Sequence, residues 1–126
     1  MKKLFNSYWP AILWSAIVII LLCIPGSDLP DESSFLEIPY FDKWVHFGIF
    51  ALFVTLWCWA VSLKSQTGLV KKFILITISG IALGYLLELA QKYLVPNRDY
   101  DLWDVVADGI GTVIGLLFSL KVFIKK

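Results

Sequence analysis

The chain has 126 residues, enough for one domain. Apolar residues make up 59% of it and charged residues 17%, with a mean hydropathy of +0.77. Soluble domains carry nearer a quarter charged residues, and one this small has too much surface to hide so many large side chains. With a formal net charge of only +1, no basic field invites nucleic acid. These numbers argue against a soluble enzyme, a disordered chain and a nucleic-acid binder, and leave a small integral membrane protein.

A membrane helix needs about 20 mostly apolar residues, and four such runs follow one another. The first, at about 8–24, is closed by Pro25-Gly26. Lys2 and Lys3 precede it as they would a signal peptide. No small-x-small cleavage site follows, so it is expected to be retained as a helix. A connection with Pro25, Pro30, Pro39 and several acids leads on, too polar to insert, to a second run at about 44–63. A third run, at about 73–95, ends at Pro96, and a fourth covers about 102–124. Cys23 and Cys58 lie inside apolar runs without metal-ligand spacing and read as two small buried hydrophobes. The expected architecture is therefore all-α. One domain, 1–126, forms a polytopic four-helix transmembrane bundle with short loops.

Charge sets the orientation. Lys2, Lys3, Lys64, Lys71, Lys72, Lys121, Lys125 and Lys126 fall on one side, and Lys43, Lys92, Arg98 and every acidic residue fall on the other. Excess Lys/Arg marks the cytoplasmic side, so both termini are expected inside and the acidic loops outside. Tyr8, Trp9, Tyr40, Trp44, Tyr93, Tyr100 and Trp103 suit aromatic belts at span ends.

Ionisable groups inside a membrane are costly and point by default to a functional site. At about 100° per residue, Gly80, Gly84, Glu88 and Gln91 share a narrow sector of the third span. Asp104, Asp108, Gly111 and Gly115 share one on the fourth, with Asp101 nearby. Asp42, His46, Ile49 and Phe53 share a face of the second. At 1.5 Å per residue, Glu88 lies ~12 Å before Pro96, while His46 and Asp108 lie ~6 Å inside Asp42 and Asp104. One outward-opening cluster is compatible with these depths. Lys43 and Arg98 are the counter-charges at its mouth, and without cations five clustered carboxylates could not all stay ionised. The small-x-x-x-small pairs Gly80/Gly84 and Gly111/Gly115 predict close packing of the third span on the fourth. Two readings of the polar stripe stay open. It is either packing glue between helices, with Asp104 and Asp108 suiting the positive end of a helix dipole, or a binding or catalytic site.

Asp42-Lys43-x-x-His46-Phe47, Glu88-x-x-Gln91, Pro96-x-Arg98, Asp104 and Gly111-x-x-x-Gly115, with the turn Ile24-Pro25-Gly26-Ser27, together resemble the VanZ-like family. The resemblance covers essentially the whole chain. Two positions depart from the pattern. Asp108 stands where the family usually has asparagine, and Asn97 where it usually has glycine. The resemblance implies a small four-helix protein of the bacterial plasma membrane, and its namesake is associated with low-level resistance to the glycopeptide teicoplanin.

The expected function is that of an envelope protein whose outward polar pocket binds a membrane lipid, a lipid-linked wall precursor or a glycopeptide. Asp42, Lys43, His46, Glu88, Gln91, Arg98, Asp104 and Asp108 would line that pocket. Polar groups beside apolar walls suit a charged head with a greasy tail. The alternative is a small membrane enzyme acting on a lipid head group, with carboxylates and His46 as acid and base or around a divalent ion. No resident metal or cofactor is expected from the motifs, since phosphate-binding loops, His-Glu-x-x-His, CxxC pairs and nucleophile elbows are absent. An ion-conducting path would need polar groups in the inner half as well, and there the spans are apolar and glycine-lined.

Overall fold

The computed structural model describes residues 8–23, 41–64, 66–94 and 102–124, with side chains from residue 43 onward in the second stretch. Among the described residues the protein is all-helical. α1 is Trp9–Leu22, α2 Phe41–Lys64, α3 Leu69–Leu94 and α4 Leu102–Val122. Three of the four have the length and apolar composition to cross a membrane, as Lys43–Lys64, Leu69–Leu94 and Leu102–Val122. The described α1 has 14 residues. At 1.5 Å per residue it is about 21 Å long, short of a hydrocarbon core about 30 Å thick.

The helix starts have local causes. Pro10 sits in the first turn of α1, where its missing N–H is no loss. α3 begins at Leu69, four residues before the apolar run itself. Gly68 adopts φ +63°, a left-handed turn open to glycine at little cost, and its carbonyl accepts the Lys72 N–H at 3.1 Å. Hydrogen bonding thus starts the helix ahead of Lys71 and Lys72, whose long stems can snorkel to the polar side.

Successive helices run antiparallel. The end of α3 meets the end of α1, where Gln91 Nε2 donates to the Leu22 carbonyl. The end of α2 meets the start of α1, where the Lys64 ammonium lies 5.4 Å from the Tyr8 ring centroid. Two indole bonds fix α1 on α2. Trp14 Nε1 donates to the Ile49 carbonyl at 3.0 Å, and Trp57 Nε1 donates to Ser15 Oγ at 2.9 Å. Two apolar clusters fill the interior, one of Val18, Leu22, Ile49, Phe50 and Leu87, the other of Phe53, Val54, Cys58, Leu69 and Phe73. Both cysteines are free thiols.

The outer surface is apolar on every helix, with Ile20, Ile78, Leu86 and Leu117 all more than half exposed. Soluble monomers rarely present such continuous apolar surface; lipid is its natural solvent. Hydroxyls within the spans return to their own helices, as lipid demands of polar groups. Thr55, Thr77 and Ser119 donate to the carbonyls of Ala51, Phe73 and Gly115 at 2.7–2.9 Å.

The glycine stripes pack differently from the expected pairing of the third and fourth spans along both. α2 and α4 form the most extensive helix pair, and Gly111 and Gly115 are where they touch. A Cβ on Gly111 would collide with the Phe47 carbonyl oxygen, and one on Gly115 would lie 2.7 Å from the Ala51 carbonyl oxygen. The stripe of α4 is therefore seated on the backbone of α2. Gly80 and Gly84 of α3 instead receive side chains of α4, those of Thr112 and Asp108. The cause is size: backbone against backbone needs glycine on the approaching helix, and Thr112 and Asp108 keep α3 farther off.

Gly111→Ala is expected to destabilise the fold by up to about 3 kcal/mol, the upper range for overpacking, because the obstructing atoms are backbone. Gly109, with nothing within 4 Å of an added Cβ, is the control. Gly109→Ala should be neutral or stabilising by up to about 1 kcal/mol. Denaturant unfolding in lipid or detergent, followed by circular dichroism, distinguishes the two.

Candidate functional site

At one end of the bundle the helices bring ionisable side chains together. Lys43 and His46 lie one turn apart near the start of α2, so both reach the same neighbour. Asp104 and Asp108 are four residues apart at the start of α4 and face α2 together. Glu88 comes from the far end of α3, whose antiparallel course brings it to the same level.

The geometry is tight. His46 Nδ1 is 2.8 Å from Asp108 Oδ1, and His46 Nε2 is 3.6 Å from Asp104 Oδ2. The Lys43 ammonium is 3.3 Å from the other Asp104 oxygen, Oδ1. One ligand atom each from His46, Glu88 and Asp104 lies within 4.8 Å of the other two. Glu88 and Asp108 are each 1% exposed, His46 4% and Asp104 8%. Lys43, half-buried, forms the rim.

These contacts assign roles to the atoms. An ionised carboxylate only accepts, so with Asp108 ionised its contact with His46 puts the ring proton on Nδ1. Asp108 Oδ2 is buried, with no hydrogen-bond partner among the described residues. Nε2 is thereby turned toward Asp104 at a separation longer than a hydrogen bond. Asp104 bridges the remaining groups, with one oxygen toward Lys43 and one toward His46.

Gly84 makes room for this arrangement. A Cβ there would lie 2.8 Å from Asp108 Oδ2 and 3.0 Å from Asp108 Cβ. Any larger residue pushes the Asp108 side chain away from Gly84. In sequence Gly84 reads as a helix-packing residue; its contact is with the carboxylate.

Of the residues singled out in the sequence, the structure unites Lys43, His46, Glu88, Asp104 and Asp108. Gln91, one turn beyond Glu88, is buried and holds the α1 backbone at Leu22. Arg98 and Asp101 lie outside the described residues, as do the side chain of Asp42, Asn97 and the connection around Asp28 and Glu37. Two grooves on the described surface, beside Gln66, Leu69 and Phe123, lie at the opposite, lysine-bearing end. Helical spacing of the sequence left unmarked the fastening of α1 through Trp14, Ser15 and Trp57. Its trace there is no more than Ser15 on the first run and an indole, Trp57, on the second. The chain matches no family model, no curated protein and no solved structure.

The pair is expected to behave as a unit. Asp108→Ala strands the His46 ring, and His46→Ala strands a buried carboxylate; each should cost about 1–3 kcal/mol, the usual penalty for leaving a buried hydrogen-bonding group without its partner. The double variant should lose distinctly less than the sum. A double-mutant cycle on unfolding in detergent checks this, and strict additivity would deny the coupling.

Proposed function

We propose that the chain is a VanZ-like multi-pass protein of the bacterial plasma membrane. Its acid–histidine–lysine cluster binds the polar head of an amphipathic ligand at the outer leaflet. The ligand is a membrane lipid, a lipid-linked wall precursor or a glycopeptide such as teicoplanin. In this reading all four helices form the transmembrane bundle, with both termini cytoplasmic. α1 joins as the fourth element through its apolar surface and its indole bonds to α2.

One observation carries the proposal. Among the described residues, three carboxylates, an imidazole and an ammonium converge within helices whose outer faces are apolar. Ionisable residues in spans are expensive to keep there and by default mark a functional site. The positive-inside rule supports the orientation. Lys64, Lys71, Lys72 and Lys121 gather at the end opposite the cluster. Lys43 and Asp104, the least buried members, are the groups that would meet an anionic or amine-bearing head. Glu88 and Asp108, behind them, would set the field.

A second reading, a small membrane enzyme acting on a lipid head group, is favoured by the Asp108–His46 contact. A carboxylate that fixes a ring tautomer leaves the second ring nitrogen as a base. Chelator-sensitive or His46-dependent turnover of a lipid would support this reading over simple binding.

The test is drug susceptibility in a teicoplanin-sensitive Gram-positive host producing the wild-type protein or Glu88→Ala, Asp104→Ala or Asp108→Ala, at matched membrane levels. The expected result is protection by the wild type and its loss in all three variants. Protection retained in all three would make the cluster packing glue. No protection by well-inserted wild type would contradict the resistance role and leave envelope lipids as the ligand class to test by direct binding.

A further inference from the structure

We propose that His46, Glu88 and Asp104 form a three-ligand site for a divalent first-row metal ion, with Asp108 orienting the histidine from behind. The proposal concerns the metal alone and stands whether or not a glycopeptide or lipid is the protein's ligand.

Two observations converge on it. The first is spacing. One ligand atom from each of three side chains, carried by three different helices, lies within 4.8 Å of the others. His46 Nε2 and Asp104 Oδ2 are 3.6 Å apart. Two ligands about 2.1 Å from one ion sit about 3.0–3.4 Å apart in octahedral or tetrahedral geometry. The observed separation is too long for a hydrogen bond and needs only a few tenths of an ångström of closure to span an ion.

The second is the state of the histidine. Metal-ligating imidazoles commonly donate their other N–H to a carboxylate, which fixes the tautomer and raises the basicity of the ligating nitrogen. The 2.8 Å contact from His46 Nδ1 to Asp108 Oδ1 supplies that partner. The histidine lone pair is then on Nε2, which faces Asp104.

The donor set selects the ion. One imidazole nitrogen with two carboxylates suits zinc or manganese better than magnesium, which favours an all-oxygen octahedron with several waters. The Lys43 ammonium lies 3.3 Å from the second Asp104 oxygen, which favours Asp104 as a monodentate ligand through Oδ2. Three protein ligands leave at least one coordination position for a water or a ligand's oxygen.

The experiment is metal titration of the tag-free, chelator-treated full chain in lipid nanodiscs, by calorimetry with Zn²⁺, Mn²⁺ and Mg²⁺ as separate probes. It is paired with electron paramagnetic resonance of the Mn²⁺ form. One Zn²⁺ or Mn²⁺ per chain is expected, with Mg²⁺ at least about ten-fold weaker. Asp104→Asn should weaken binding at least about 100-fold, and Asp108→Asn about 10–100-fold, the usual effect of removing an outer-shell partner. Gln66→Ala, at the far end, should leave it unchanged. Nitrogen coupling from the single histidine should appear in the Mn²⁺ signal of the wild type, a readout independent of whether any variant folds. Absence of a saturable site for both Zn²⁺ and Mn²⁺, or bound Mn²⁺ without nitrogen coupling, would overturn the proposal. Affinity unchanged in folded Asp104→Asn would overturn it too.

Discussion

Charge buried inside apolar helices is the constraint on which the described structure depends. Glu88, Asp104, Asp108 and His46 are all 8% exposed or less, on helices whose other faces are mostly apolar. Left apart, each would cost several kcal/mol or surrender its charge. Brought together, Asp108 holds His46, Asp104 faces both His46 and Lys43, and Glu88 closes the third side. The register of α2 against α4, and the level at which α3 crosses them, follow from that requirement.

Glycine makes the approach possible. Gly111 and Gly115 let α4 lie on the backbone of α2, so that Asp104 and Asp108 reach across to Lys43 and His46. Gly84 performs the complementary task on α3 by leaving a space for the Asp108 side chain. Without a hydrophobic driving force between helices in lipid, close packing and polar contacts are what hold a bundle together. Here the glycine seats and the polar cluster occupy adjoining turns of the same faces. Gln91 and the two indole bonds then fasten α1 to the finished trio.

Much of this was legible in the sequence because helical periodicity is strict. Gly80, Gly84 and Glu88 on one face, and Asp104, Asp108, Gly111 and Gly115 on another, are separated by three or four residues, and that alone aligns them. The four helices and the convergence of Lys43, His46, Glu88, Asp104 and Asp108 follow from such spacing plus alternating direction. Which helix each glycine touches did not follow, because spacing gives a face and not its neighbour. Gly111 proved to lie on Phe47 of α2. The start of α3 at Leu69 was hidden by Lys71 and Lys72, since hydropathy reports depth while the Gly68 turn decides where the helix begins. The bond from Gln91 to Leu22 was hidden too: a buried amide can serve a ligand or a backbone carbonyl equally well.

A binding or catalytic role and a purely structural one both need the cluster to exist in the membrane as an ordered network, so its order is the central claim. His46 is the chain's one histidine, which allows a single imidazole to be observed without assignment. The most direct measurement is solid-state NMR of the histidine-labelled protein in lipid bilayers, with ¹³C-labelled aspartate. The expected result is one ordered ring, protonated at Nδ1, with a through-space correlation from Nδ1 to an aspartate carboxyl carbon. A mobile ring that exchanges between tautomers and shows no correlation to any aspartate carboxyl would contradict the account.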